Sequence, residues 1–170
     1  MLGNKSIRMV IVPHHVSNDN ISDMADLIQS NSMSFELLSD LEILSLDGKV
    51  SGCQVVLVDS IGRLFELYGI ASLAFIGGAM HAKVHNVLEP AAWGVPMSSG
   101  PMVSNSQEAQ HFLKRGLLEI VDSPDQLYQT WTKQLKNHGQ ISQDLLQEVK
   151  ILCGASQAFF ETLKRVLGIV

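Results

Sequence analysis

The chain has 170 residues, is 46% hydrophobic and only 17% charged, a balance that fits one well-buried domain and excludes a disordered chain. Net charge is −5 and the 12 basic residues are scattered singly or in pairs, so nothing builds an electrostatic footprint for nucleic acid. No secretory leader opens the sequence, and the longest nearly apolar run, Ile70 to Met80, is too short and glycine-broken to span a bilayer, so the expectation is a soluble, intracellular chain.

Taken in order, the residues predict strands alternating with helices, the pattern of a parallel sheet covered on both faces. Ile7 to Val12 reads as a first strand stopped by Pro13. Ser17 to Asp19 offer N-cap chemistry for a helix from about Ile21 to Ile28, with Ile21, Met24, Ala25 and Ile28 on one face. Phe35 to Leu38 fits a short second strand, and Ser39 to Gly52 is polar and ambiguous. Gln54 to Val58 is the clearest strand, after which Asp59-Ser60 caps a helix from about Ile61 to Tyr68 that buries Leu64, Phe65 and Leu67 or Tyr68. Leu73 to Ile76 forms a strand ending at Gly77-Gly78, and Leu88 to Trp93 a short helix.

Beyond it lie a strand over Val95 to Ser98 and a helix from Ser106 to Arg115 stopped by Gly116. A strand over Leu117 to Val121 and a helix from Ser123-Pro124 to about Lys136 follow. Two further helical patterns occupy Ile141 to Leu152 and Ala155 to Leu167. Without a repeat or a linker, the expectation is a single domain over residues 1–170.

Three segments follow strands and therefore fall on the edge where open parallel sheets bind ligands: Pro13-His14-His15, Asp59 to Arg63, and Gly77-Gly78 through Glu89. The last opens a helix with an acidic residue in its first turn. Helix-start N–H groups suit a phosphate, and a carboxylate can accept from ribose hydroxyls. The same letters equally fit an ordinary strand–loop–helix connection, with Pro90 as a first-turn proline and Glu89 favouring the helix dipole. His81 and His85 are four apart but sit in a glycine-flanked loop without a third ligand, so no metal site is expected. Ser60 lacks a nucleophile elbow, and Gly77-Gly78 has the wrong spacing for a dinucleotide fingerprint. Cys53 and Cys153 show no metal-ligand spacing and are expected to stay reduced. Met97, Met102 and Phe159-Phe160 read as packing residues.

The run from Gln54 through Asp59-Ser60-Ile61-Gly62-Arg63 to Ala71 continues into Leu73-Ala74-Phe75-Ile76-Gly77-Gly78. His85-Asn86-Val87-Leu88-Glu89-Pro90-Ala91-Ala92 then follows. In this order the motifs resemble the C-terminal half of bacterial 3-deoxy-D-manno-octulosonic acid (Kdo) transferases, from about Ile7 to the C-terminus and most specifically between Val55 and Pro101. The resemblance implies a glycosyltransferase-B fold whose C-terminal domain binds the CMP-sugar donor. It is an α/β, Rossmann-like parallel sheet with helices on both faces, here truncated at its N-terminal strand–helix unit.

Carried across, the family's Pro-Arg-His motif falls on Pro13-His14-His15, with the arginine replaced by His14. Its Met-Gly-Glu segment falls on Ile61-Gly62-Arg63, with the glutamate replaced by Arg63, and its Asn-x-Leu-Glu segment is intact as Asn86-Val87-Leu88-Glu89. The implied donor contacts are therefore Pro13, His14, Ile61, Gly62, Arg63, Asn86, Val87, Leu88 and Glu89. The first departure exchanges a permanent bidentate cation for an imidazole, and Arg63 is positioned in sequence to return a positive charge. No catalytic residue, metal or cofactor is implied in this stretch, the donor CMP-Kdo being a substrate. The acceptor-binding domain, the membrane-associating helix and the glutamate general base of the family all lie upstream of the matched part.

The resemblance thus implies an inverting transferase that passes Kdo to a lipid A precursor at the cytoplasmic face of the bacterial inner membrane. In that enzyme the lipid acceptor and the membrane are met through the N-terminal region. This chain alone is expected to be soluble and inactive. Two alternatives stay open: a donor domain of another glycosyltransferase-B enzyme using a UDP-sugar, and a non-catalytic nucleotide-binding module.

One topological expectation follows from the truncation. In a doubly wound order 3-2-1-4-5-6 the family's first strand is central, with Ile7–Val12 second and Gln54–Val58 fourth. Its absence leaves a gap that would orphan backbone groups on both strands. Direct parallel pairing of these two strands is the expected remedy, with a strand from another chain as the alternative.

Overall fold

The computed structural model describes residues 8–41 and 52–167, with side chains up to residue 154. The chain divides into two compact units, Met1–Leu64 and Phe65–Val170. Among the described residues, six strands run parallel to their neighbours and are interleaved with helices, giving the α/β, Rossmann-like class expected, with the strands shared between two three-stranded sheets.

In the first unit β1 (Met9–Ile11), α1 (Asn18–Ser30), β2 (Phe35–Leu37) and β3 (Val55–Leu57) build a sheet of order β1-β3-β2. The direct pairing of the first strand with the Gln54–Val58 segment is present, in the register Met9↔Val55 to Ile11↔Leu57. The doubly wound order is not: β2 takes the other edge of β3, Phe35 facing Val55, instead of lying beyond β1. Two features explain the choice. Val55 and Leu57 are at most 1% exposed, so β3 is the strand that gains most from pairing on both edges. A reciprocal clamp then fixes β2 beside it: Ser34 N–H donates to Gln54 Oε1 and Gln54 N–H to Ser34 Oγ, both at 3.1 Å.

Helix α1 starts where the side-chain chemistry predicts, Ser17 Oγ accepting from Asn20 N–H at 3.3 Å. Its Ile21, Met24, Ala25 and Ile28 pack on Phe35, Leu37, Val55 and Leu57, the face read from the periodicity. Ile7 and most of the ambiguous stretch after Leu41 lie outside the described residues.

Helix α2 (Leu64–Tyr68) begins three residues later than expected. Gly62 sits at φ +86°, a left-handed conformation that a right-handed helix cannot contain. Asp59 does not cap this helix. Its carboxylate accepts instead from Ser39 N–H at 3.1 Å and Ser39 Oγ–H at 2.5 Å, closing the turn after β2. The face that α2 buries is smaller than expected: Tyr68 packs half-buried against the core, whereas Phe65 is 48% exposed.

The second unit is larger. It holds β4 (Ala74–Ile76), α3 (Leu88–Ala92), β5 (Met97–Ser99), α4 (Gln107–Lys114), β6 (Leu118–Ile120), α5 (Pro124–Lys136) and α6 (His138–Leu167). The sheet order is β4-β5-β6, with Ala74↔Met97 and Met97↔Leu118 in register. On one face Ile76, Met97 and Leu118 pack with Val87 and Ala91 of the α3 segment, Phe112 of α4 and Leu145 of α6. On the other, α5 satisfies the polar centre of β5: Trp131 Nε1–H donates to the buried Ser98 Oγ at 3.1 Å, and Gln134 Nε2–H donates to Met97 O at 2.8 Å. Met97 is thus a packing residue as expected, whereas Met102 is 46% exposed.

Ser106 and Ser123 cap α4 and α5 as read from the sequence, accepting from Ala109 and Gln126 N–H. The expected break near Gly154 is absent, because α6 runs through it as one helix of 30 residues. A mid-helix glycine costs only about 1 kcal/mol relative to alanine, too little to stop a helix whose earlier turns are anchored. That anchor is the buried Glu148, which takes Arg115 Nη2–H at 2.8 Å and Nε–H at 3.0 Å on one oxygen and His111 Nε2 at 3.0 Å on the other.

Candidate functional site

The residues assigned to donor contacts lie on both units, and each set is built differently. In the first unit the chain leaves β1 through the buried Pro13 into His14 and His15, which are exposed and meet edge to face with ring centroids 4.4 Å apart. His15 O accepts from Asn20 Nδ2–H at 3.0 Å, so the first turn of α1 ties this loop down. After β3 come Asp59 and Ser60. Burial pushes the Asp59 carboxyl up, but the hydrogen bonds from Ser39 outweigh it and hold the group below its ordinary range. The Ser60 hydroxyl is buried with no hydrogen-bond partner.

Ile61, Gly62 and Arg63 then form an exposed turn, Ile61 being 84% exposed. Around Gly62 a Cβ would meet nothing within 4 Å, so glycine is required there by its φ alone. A groove of about 360 Å³ in this unit is lined by Val16, Ser17, Ile21, Phe35, Leu37 and Asp59, among others. None of Pro13, His14, Ile61, Gly62 or Arg63 lines it.

In the second unit the chain leaves β4 through Gly77-Gly78, where Gly78 has φ +86°. A Cβ there would lie 2.0 Å from Lys83 O and 2.6 Å from the His85 ring, so the loop is folded back on its own backbone. His85 N–H closes it by donating to Gly77 O at 3.1 Å. These glycines permit that close return. His81 and His85 share no helix, and among the described residues no group of three His, Cys, Asp or Glu could hold a metal ion.

The loop delivers Asn86 to the start of α3. Its Oδ1 accepts from Leu88 N–H at 2.9 Å and its Nδ2–H donates to Glu89 Oε1 at 2.8 Å. Val87, buried at the N-cap position, has no capping side chain, so Asn86 performs that task from one residue earlier. Leu88 is 37% exposed and Glu89 half-buried. The intact Asn-x-Leu-Glu segment therefore presents a carboxylate that is oriented before any ligand arrives.

Phe65 and Tyr68 of α2, read from the sequence only as packing residues, lie beside the α3 segment. Phe65 stacks at a tilt on Trp93, with centroids 5.6 Å apart. Tyr68 is pushed up to about 12, first by burial and then by the negative charge of Glu89. The available signal was spacing: Glu89 and Trp93 are four apart on α3, and Phe65 and Tyr68 three apart on α2, so each pair shares a helix face.

No family model matches the chain. Curated relatives do. It is 32% identical over 126 residues to the 3-deoxy-D-manno-octulosonic acid transferase of Haemophilus influenzae, covering 72% of this chain and 28% of the relative. The corresponding enzyme of Chlamydia pneumoniae is 34% identical over 116 residues, covering 66% and 26%. That of Aquifex aeolicus is 30% identical over 111 residues, covering 65% and 28%. The matched region thus spans little more than a quarter of these relatives' length. Among solved structures, the C-terminal CMP-Kdo binding domain of WaaA from Acinetobacter baumannii superposes with a TM-score of 0.68 at 23% identity, over 82% of this chain and 72% of that one. This likeness shows a shared fold.

Proposed function

Since the chain is a homologue of the Kdo transferases, matched to their C-terminal domain, we propose that it binds the cytidine monophosphate part of a CMP-Kdo donor. The observation that carries this reading is the Asn86–Glu89 pair, an intact family segment folded so that one carboxylate is held ready at the start of α3. An ionised carboxylate accepts but does not donate, which suits the two hydroxyls of a ribose diol. The phosphate, as an anion, calls for cationic or backbone N–H partners, the chemistry of His14, Arg63 and the Ile61-Gly62 turn. Each of these assignments is tested separately by its own substitution.

The same reading extends to the reaction. A domain of this kind serves a glycosyltransferase in which CMP leaves from Kdo as an acceptor hydroxyl of a lipid A precursor attacks. Acceptor binding and the general base come from other parts of such an enzyme, working at the cytoplasmic face of the inner membrane. Among the described residues no helix is long and apolar enough to cross a membrane. No cofactor enters this scheme.

Calorimetry with CMP, UMP and UDP tests the reading directly. CMP is expected to bind and both uridine nucleotides to bind more weakly. Glu89→Gln is expected to weaken CMP binding by about 1.5–3 kcal/mol, the range for a hydrogen bond to a charged group. Stronger binding of UDP would move the chain to a donor domain for UDP-sugars. No binding of any nucleotide by a well-folded sample would make it a non-catalytic module.

A further inference from the structure

The first unit holds a groove that the proposed donor contacts leave unused. It lies between α1 and β2, with an apolar wall of Val16, Ile21, Ala25, Phe35 and Leu37, and its volume of about 360 Å³ falls within the range of small-molecule sites. Among the described residues that line it, Asp59 alone is charged. Asp59 follows β3 at the carboxyl end of the first sheet, the edge at which open parallel sheets take ligands. Its carboxylate is fixed there, one oxygen accepting from Ser39 N–H at 3.1 Å and the other from Ser39 Oγ–H at 2.5 Å. A carboxylate offers about four lone-pair sites, so this one can accept again from the groove. We propose that the groove receives the cytosine ring of the donor and that Asp59 selects it, by accepting a hydrogen bond from the exocyclic amino group.

The inference deepens the donor-binding reading and rests on it. A flat ring with an N–H donor on its edge matches apolar walls and a single anionic acceptor, and carboxylates accept from the same amino group where proteins read cytosine in nucleic acids. Uracil carries an acceptor oxygen at that ring position, which would face the carboxylate unpaired. A site built to hydrogen-bond one group rejects the analogue that lacks it. Burial pushes the Asp59 carboxyl up, but the bonds from Ser39 hold it below its ordinary range, so at neutral pH the group only accepts. The lining also continues from the loops proposed for the phosphate: Val16 follows His14 by two residues, and Asp59 precedes Ile61 by two.

Asp59→Asn keeps the shape of the side chain and leaves an oxygen for the Ser39 N–H, while its amide can donate to uracil. The quantity measured is the ratio of CMP to UMP affinity, by calorimetry on the full chain. Wild type should favour CMP by about tenfold or more. The variant should lose about tenfold in CMP affinity, bind ribose 5-phosphate unchanged, and bring the ratio close to one. A merely structural Asp59 would weaken both nucleotides together, so equal losses for CMP and UMP would overturn the inference.

A second measurement leaves the protein untouched. N4,N4-dimethyl-CMP has no amino N–H and should bind wild type about as weakly as UMP does. Binding as tight as that of CMP would overturn the inference, whatever the folding of Asp59→Asn. The two readings fail separately. Absence of CMP binding by wild type removes the donor reading and the cytosine site with it. A preference for CMP whose ratio does not move in Asp59→Asn removes the cytosine site alone.

Discussion

The turn Ile61–Arg63 and the segment Asn86–Glu89 belong to the same expected set of nucleotide contacts, yet they are held in opposite ways. The turn stands in solvent, with open space around Gly62 and Ile61 84% exposed. The segment is built into the fold: Val87 and Ala91 are in the core, Asn86 caps α3, and the preceding loop closes on its own backbone. The departures from the family pattern, His14 and Arg63, both fall on exposed positions, and the intact motif falls where the residues also fold the chain. An exposed side chain can be exchanged with little cost to stability, whereas Asn86 cannot be replaced without orphaning the Leu88 N–H. The intact motif therefore has a structural role of its own, beside the ligand contact proposed for it.

Gly62 and Gly78 offer the largest test of that contrast, since both have φ +86°. Gly62→Ala faces only the left-handed backbone penalty, about 1–2 kcal/mol. Gly78→Ala adds a Cβ 2.0 Å from Lys83 O, which forces the loop open, for a total of about 3–4 kcal/mol when overpacking is included. Urea unfolding of the two variants measures the difference. Equal losses would erase the distinction between a free turn and a packed loop.

The same contrast explains what the sequence made legible. Burial and periodicity located β3, the packed face of α1 and the serine caps of α4 and α5, because each is a local preference that the tertiary structure also rewards. The order β1-β3-β2 was not legible. Three short apolar strands are interchangeable by pattern, and the deciding clamp between Ser34 and Gln54 spans 20 residues. The start of α2 was obscured by Gly62, whose conformation letters do not reveal, and the continuity of α6 by a glycine that its anchored turns tolerate. For the candidate site, the family segment named the Glu89 carboxylate, and the structure adds that Asn86 holds it. Tyr68 was read as a packing residue of its helix, and it packs against the core.

A smaller effect tests how the helices of the second unit are tied together. Glu148 joins α6 to α4, and the hydrogen bond from Arg115 holds its carboxyl below the ordinary value of 4.5, with His111 adding to the effect. A depressed carboxyl contributes stability above its unfolded-state value and loses it as pH falls through the lower, folded one. Glu148→Gln should therefore lower stability by about 2 kcal/mol near neutrality, where charge-assisted hydrogen bonds are lost. The gap to wild type should narrow as the pH drops below 4.5. Thermal midpoints of both proteins across acid and neutral pH give the comparison, and a gap independent of pH would mean that Glu148 acts through packing alone.

The smallest effect concerns the first unit and bears most directly on function. His14 is exposed beyond the buried Pro13 and meets the His15 ring edge to face, so the unfolding midpoint of His14→Arg is measured beside its binding. If this loop meets the donor phosphate, the guanidinium supplies a permanent, bidentate cation where the imidazole stands. The expected gain in CMP affinity is about 1 kcal/mol, the lower range for a charge-assisted contact at an exposed site, and it should shrink as salt is raised. Cytidine without its phosphate serves as the control, because an effect confined to the phosphate leaves nucleoside binding untouched. A gain for CMP alone would mark the replaced position as a weakened phosphate contact. Equal affinities before and after the change would take the loop after β1 out of the proposed donor site and leave that proposal resting on Glu89.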